Sequence, residues 1–335
     1  MKNKKRILLI GGGGFIGHSV AIRLKQLGYD VSIIDCFQVN NFLNTLSDKS
    51  VYDKYNPFCQ ERIKLLMDNE INIYIEDARK YNELSYLIYK EVQPDIIIHL
   101  AAVSHADISN KKAHNTFDHS LRTLENALDA SIKGGIVKQF IYFSSSMVYG
   151  DWTEEVVTEE SPTNPLGVYG SLKLAGEMIV RSYGRVFNLP YTIVRPSALY
   201  GERCISRRIV QVFIENALEG RDLIIKGDIN QKLDFTYIDD FVQGLCLIVG
   251  NEKAYNETFN LTYGEGRSIF DLVHILDRLI GVAIQRVEET DKNKPSRGTL
   301  SVDNAMRLLG YDPRYNLERG VEKYSGWYKR RNWGQ

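Results

Sequence analysis

A chain of 335 residues with 44% apolar and 25% charged side chains is long enough to bury a full core. Its 42 basic and 42 acidic residues cancel, so no net field draws it to nucleic acid or to an anionic membrane, and recognition must rest on local sites. The basic start Met1–Arg6 runs into only a short apolar strand, too short for a signal peptide, and no stretch approaches a membrane span. Cys36, Cys59, Cys204 and Cys246 are scattered without paired spacing, which points to free thiols in a cytoplasmic protein rather than to disulfides or a metal site.

Ile7–Ile10 reads as a strand buried on both faces, and it runs directly into Gly11-Gly12-Gly13-Gly14-Phe15-Ile16-Gly17. Gly11, Gly14 and Gly17 form a G-x-x-G-x-x-G turn, and the absence of a following Gly-Lys-Ser/Thr excludes a triphosphate-binding loop. Phe15 and Ile16 stand at the mouth of the helix that follows, where free N–H groups and the positive dipole end suit a pyrophosphate. A second strand, Val31–Ile34, closes on Asp35, the position that holds a ribose 2′-hydroxyl in a dinucleotide fold. A carboxylate there repels a 2′-phosphate, so the spacing predicts NAD rather than NADP.

Between Cys36 and Glu70 lies a long polar connection, with Asn40-Asn41, Asn56-Pro57 and a short apolar piece at Ile63–Leu66, read as a flap near the adenosine end. The third strand, Ile71–Ile75, leads to Asp77 and Ala78, where Asp77 either accepts from the adenine amino group or caps the helix from Tyr81. A fourth strand ends in His99-Leu100-Ala101-Ala102; Leu100, Ala101 and Ala102 border the dinucleotide, and His99 reads as a core residue. A helix from Ala113 to Ser131 precedes the fifth strand, Phe140–Phe143, whose carboxyl end carries Ser144-Ser145-Ser146 toward the ligand crevice. Tyr169 and Lys173 then share one helical face, and an ammonium beside the phenol lowers its pKa from about 10 toward the working range.

These residues together resemble the extended short-chain dehydrogenase/reductase family, in its branch of NAD-dependent nucleotide-sugar epimerases and dehydratases, over nearly the whole chain. The likeness is carried by the glycine turn, Asp35, Asp77, His99–Ala102, Ser145 before Tyr149-Gly150, Tyr169 with Lys173, Arg195–Gly201 and Leu233–Asp240. It implies a Rossmann-type doubly wound parallel α/β sheet with a smaller, interleaved α/β substrate-binding lobe. The expected division is 1–196 with 237–262 for the cofactor, and 197–236 with 263–335 for the substrate. It also implies oxidation at C4 of a nucleoside-diphosphate sugar, in the supply of surface-polysaccharide precursors, with Tyr169 as base, Ser145 on the reacting oxygen and Lys173 on the nicotinamide ribose. A homodimer through the helices Ala113–Ser131 and Tyr169–Phe187 follows from the same likeness.

Departures from the family narrow the reading. Dehydratases carry an acid where this chain has Met147, which moves no proton, so elimination is disfavoured; a 4-epimerase stands first and a 4-dehydrogenase second. Galactose-type epimerases have Asn at the position of Ala198 and Arg at that of Leu233, so the diphosphate grip falls to other residues. Arg203, Arg207 and Arg208 after the sixth strand, and Arg297 in Lys294–Thr299, are the candidates, with Ser146 beside Ser145 on the sugar. The Arg207-Arg208-Ile209 stretch leans weakly toward a GDP sugar by its likeness to GDP-mannose dehydratases. Asp239-Asp240 is read as the cap of a helix, Glu257–Leu261 as a last strand, and Ser268–Gly281 and Leu317–Lys329 as amphipathic helices.

Overall fold

Strand β1 (Arg6–Ile10) sets the layering by its own alternation. Ile7 and Leu9 point into one hydrophobic cluster and Leu8 and Ile10 into another, all fully buried, so both faces must be covered. The computed structural model describes residues 4–39, 41–46, 48–103, 106–152, 154–287, 295–331 and 333; Met1–Asn3, Asn40 and Lys294, named above, lie outside them.

Six further strands complete the sheet: β2 (Asp30–Ile34), β3 (Asn72–Tyr74), β4 (Ile96–His99), β5 (Gln139–Phe143), β6 (Tyr191–Pro196) and β7 (Glu257–Leu261). Their order is β7-β6-β5-β4-β1-β2-β3, with every pairing parallel. The order reverses at β1 and β4, which opens a crevice beyond their carboxyl ends. This is the doubly wound Rossmann-type sheet that the family resemblance implies.

Helices α1 (Phe15–Gln26) and α2 (Lys49–Asp68) cover one face, while α3 (Thr123–Ile132) and α4 (Val168–Phe187) cover the other. After Pro196 the chain leaves the sheet to form α5 (Ile209–Leu218), and it returns through α6 (Ile238–Ile248) to β7. It then leaves again for α7 (Ile269–Ile280) and α8 (Leu317–Lys329). Within this smaller lobe Leu223–Lys226 pairs with Ile284–Val287, and Lys232–Asp234 pairs with Gly266–Ser268. One apolar cluster runs unbroken from Val194 in the sheet through Phe235 and Leu272 to Trp327. Among the described residues no helix is long and apolar enough to cross a membrane.

Several expectations are corrected here. The connection after Asp35 is not a flap: most of it is α2, capped by Asp48, whose side chain accepts from Ser50 N at 2.9 Å. Its buried Tyr55, Phe58 and Cys59 face the end of the chain, with the Phe58 ring 4.7 Å from Trp327 and 5.6 Å from Trp333 between centroids. Those aromatic partners lie at the far end of the sequence, so local polarity concealed the packing. The Ala113–Ser131 helix is interrupted, with a wider-wound turn at Asp118–Arg122 before α3. Asp239 and Asp240 lie inside the first turn of α6 rather than capping it; Asp240 accepts from Arg314 N and Tyr315 N, each at 2.8 Å, and so ties down the segment before α8.

Because Phe58 is packed between distant parts of the chain, Phe58→Ala should lower the unfolding free energy by about 3–5 kcal/mol in a urea titration. A loss under about 1 kcal/mol would mean that α2 rests on the surface.

Candidate functional site

The crevice at the reversal of strand order is a cavity of about 600 Å3 shared by the sheet and the smaller lobe. Gly11, Gly14, Phe15, Ile16 and Gly17 form its floor, with Asp35, Asp77 and Ala78 at one end and Leu100, Ala101 and Ala102 along the side. Ser145, Ser146, Tyr169 and Lys173 line it as well, as do Arg207, Arg208 and Arg297, of which Arg208 and Arg297 bear on Tyr169. The predicted residues are thus brought to one wall-to-wall cavity, with the exception of Arg203.

The floor fits a dinucleotide. A Cβ on Gly11 would stand 2.7 Å from the Ala101 nitrogen, and one on Gly17 would stand 2.6 Å from Gly12 Cα, so neither position admits a side chain. Gly14 is the N-cap of α1 and no side chain caps that helix, which leaves its first turn as a cradle for an anion. Asp35 receives Gly13 N at 2.8 Å and Phe37 N at 2.7 Å. Burial pushes the Asp35 carboxyl up, and those two N–H groups together with the Arg62 charge oppose it.

Asp77 has a partner the sequence did not supply. Arg79 sits 2.6 Å from its Oδ2 and reaches Asp118 at 3.0 Å on its other side. Burial pushes Asp77 up, but the Arg79 hydrogen bonds and charge outweigh it and hold the carboxyl below its ordinary value. Nor does Asp77 cap the next helix: its N-cap is Lys80, with no side-chain bond. His99 is a core residue; its ring lies about 6 Å from those of Phe140 and Tyr142, and burial followed by the Lys173 charge pushes it down to about 3.

At the centre, Tyr169 and Lys173 both project from α4, and Ser145 precedes the tight turn Ser146–Tyr149 that follows β5. Tyr169 and Ser145 stand together in the cavity wall; burial pushes the Tyr169 phenol up, while the Arg208 charge, the nearby Ser145 hydroxyl and the Arg297 charge oppose the rise. Here the expectation for Lys173 is corrected. Its ammonium is not among the charges that bear on the phenol; it donates to the Phe143 carbonyl at 2.6 Å and lies 5.3 Å from the centre of the Tyr142 ring. Burial pushes Lys173 down to about 8, with Glu177 opposing. The cations that act on Tyr169 are therefore the arginines of the smaller lobe.

Arg203 is corrected as well. It adopts a left-handed φ of 63°, donates from Nε to His18 Nε2 at 3.0 Å and pairs with Glu61 at 3.3 Å, away from the cavity wall. Arg297 points inward, its buried Nε without a partner among the described residues; burial and then the Arg208 charge push it down to about 10. Sequence reasoning missed Arg62, on α2, and the apolar lining Phe213, Ile224, Leu233 and Phe235. Leu233 and Phe235 lie in a stretch singled out for its likeness, whereas nothing local marks Arg62.

The depressed Lys173 value has a consequence for stability. Between pH 8 and 10 the unfolded chain keeps a proton on this lysine that the folded, cofactor-free chain has released, so unfolding free energy rises with pH; below about 8 the difference is constant. Lys173→Met should remove up to one proton from that slope in denaturant titrations across the window. An unchanged slope would contradict a deprotonated Lys173.

A sequence model of the NAD dependent epimerase/dehydratase family matches residues 7–262. A putative UDP-glucose 4-epimerase of Methanocaldococcus jannaschii is 29% identical over 97% of this chain and 99% of its own length. The dTDP-glucose 4,6-dehydratase of Salmonella typhimurium is 27% identical over 96% of this chain and 92% of its own. The crystal structure of UDP-glucuronic acid 4-epimerase from Bacillus cereus, in complex with UDP-glucuronic acid and NAD, superposes with a TM-score of 0.86. It is 28% identical and covers 97% of this chain and 99% of that one. The family match begins in β1 and ends just past β7, so it takes in the whole sheet and the cavity floor: the chain belongs to the NAD-dependent epimerase/dehydratase family of extended short-chain dehydrogenases/reductases, and its cofactor is NAD.

Proposed function

We propose that this enzyme is a nucleotide-sugar 4-epimerase acting on a UDP-linked sugar, in the supply of surface-polysaccharide precursors. The observation that carries the reading is that Ser145 and Tyr169 line one cavity together with the glycine turn and the arginines of the smaller lobe. When bound, NAD supplies the acceptor and donor of hydride. Tyr169 takes the proton of the C4 hydroxyl and later returns it, while Ser145 hydrogen-bonds the same oxygen. Lys173, nearly buried and at the same wall, holds the nicotinamide ribose. Arg207, Arg208 and Arg297 receive the diphosphate, where two guanidinium groups acting on each other call for an anion between them. Ser146 meets the sugar beside Ser145.

Met147 stands where a dehydratase places an acid, and its thioether neither gives nor takes a proton, which supports epimerisation over elimination. The similarity to proteins named for UDP sugars favours uridine over the weak GDP lean of the Arg207–Ile209 stretch. The same reading takes the protein to be a cytoplasmic homodimer. Phe117 near the wider-wound turn, and Met178, Val186 and Phe187 on α4, are exposed apolar residues on the two helical segments that would meet.

Tyr169→Phe should cut turnover about 10²–10⁴-fold while NAD binding, followed by titration, persists. Product analysis of the wild type with UDP sugars should give the C4 epimer without accumulating reduced-nicotinamide absorbance. A steady rise of that absorbance with a 4-keto product would instead identify a 4-dehydrogenase, and near-full turnover of Tyr169→Phe would remove Tyr169 as the base.

A further inference from the structure

Helix α2 brings into the cavity a guanidinium that none of the family motifs contains. Arg62 is fully buried and lines the dinucleotide end of the cavity. Its Nε donates to the Arg203 carbonyl at 3.0 Å, and its Nη2 donates to the same oxygen. Arg203 Nε in turn donates to His18 Nε2 at 3.0 Å, and His18 Nδ1 donates to the carbonyl of Gly14 at 2.9 Å, which fixes that ring as the neutral Nδ1–H form. The chain of bonds thus leads from Arg62 to the N-cap of α1, where a pyrophosphate would rest.

Burying a guanidinium is costly unless anionic groups face it. Asp35 faces it from the ribose end, since each bears on the other's ionisation, and Asp35 is pinned above the glycine turn by Gly13 N and Phe37 N. The uncapped mouth of α1 and the buried guanidinium both present positive charge to this end of the cavity, which suits a ligand with two negative phosphates. Arg79, the other guanidinium near this end, is already committed to Asp77 and Asp118.

We propose that Arg62 is a dinucleotide-binding residue that meets the phosphates of the bound cofactor beside Gly14, with α2 serving as the element that delivers it. Asp35 next to it turns away a 2′-phosphate, so the charge is directed to the pyrophosphate. The Arg203 carbonyl sets the orientation of the fork, which explains why Arg203 faces away from the substrate.

The test is titration of the full chain, freed of bound nucleotide, with NAD, ADP, adenosine and UDP. Arg62→Met should bind NAD and ADP about ten- to a hundredfold more weakly, and adenosine and UDP within about twofold of wild type. Arg62→Lys, which keeps the charge without the fork, should recover part of the ADP affinity and serves alone if the Met variant does not fold. Equal losses for adenosine and ADP would reveal a purely structural arginine and overturn the proposal. So would a loss confined to UDP, or unchanged ADP affinity in a folded variant of either kind.

Discussion

The closeness of the backbone at the end of β1 governs the rest of the molecule. With the space of a single Cβ missing between Gly11 and Ala101, and between Gly17 and Gly12, the strands β1 and β4 and the helix α1 converge on one point. That convergence opens the crevice at the reversal of strand order and aims uncapped helical N–H groups into it. The cavity residues are then placed by their distance from this floor: Asp35 at the tip of β2, Ser145 beyond β5, Tyr169 and Lys173 on α4.

A buried ionic network keeps the chemical centre at fixed distance from the floor. Arg195 on β6 grips Glu177 on α4 with bonds of 2.9 and 2.6 Å and donates to the Tyr149 hydroxyl at 2.9 Å; Tyr149 donates to Asn260 on β7 at 2.8 Å. Ser144 adds a further bond to Glu177. Losing one partner of such a pair strands a charge in the core at a cost of about 3–5 kcal/mol. The serine turn and the tyrosine helix are therefore locked to each other, chiefly through Arg195, Glu177 and Tyr149, none of which lines the cavity, and Ser145 and Tyr169 inherit their spacing from that lock.

The sheet was legible because its information is local: uninterrupted apolar runs, glycine spacing after β1, and an acid or hydroxyl beyond the carboxyl ends of β2, β3 and β5. The site was legible as positions and less so as directions. Helical spacing puts Lys173 on the face of Tyr169, yet a four-carbon stem lets its ammonium swing to the Phe143 carbonyl, and the charge felt by the phenol comes from Arg208 and Arg297. Arg203 and Arg207 both take left-handed backbone, at φ 63° and 52°, so neighbours in a loop point apart and only Arg207 and Arg208 enter the cavity. The segment after Asp35 hid its helix because its few apolar residues find partners in Trp327 and Trp333. Arg62 was invisible for the same reason: an arginine among polar residues on a helix becomes a cavity residue only through distant packing.

All of these features converge on one claim, that the hydrogen taken from C4 is kept inside the cavity and returned to the same carbon. The direct measurement is turnover of a UDP sugar deuterated at C4 in ordinary water, with the product read by NMR. The account predicts a C4 epimer that retains deuterium at C4. Exchange of the label for solvent hydrogen, or its loss with formation of a 4-keto sugar, would contradict it.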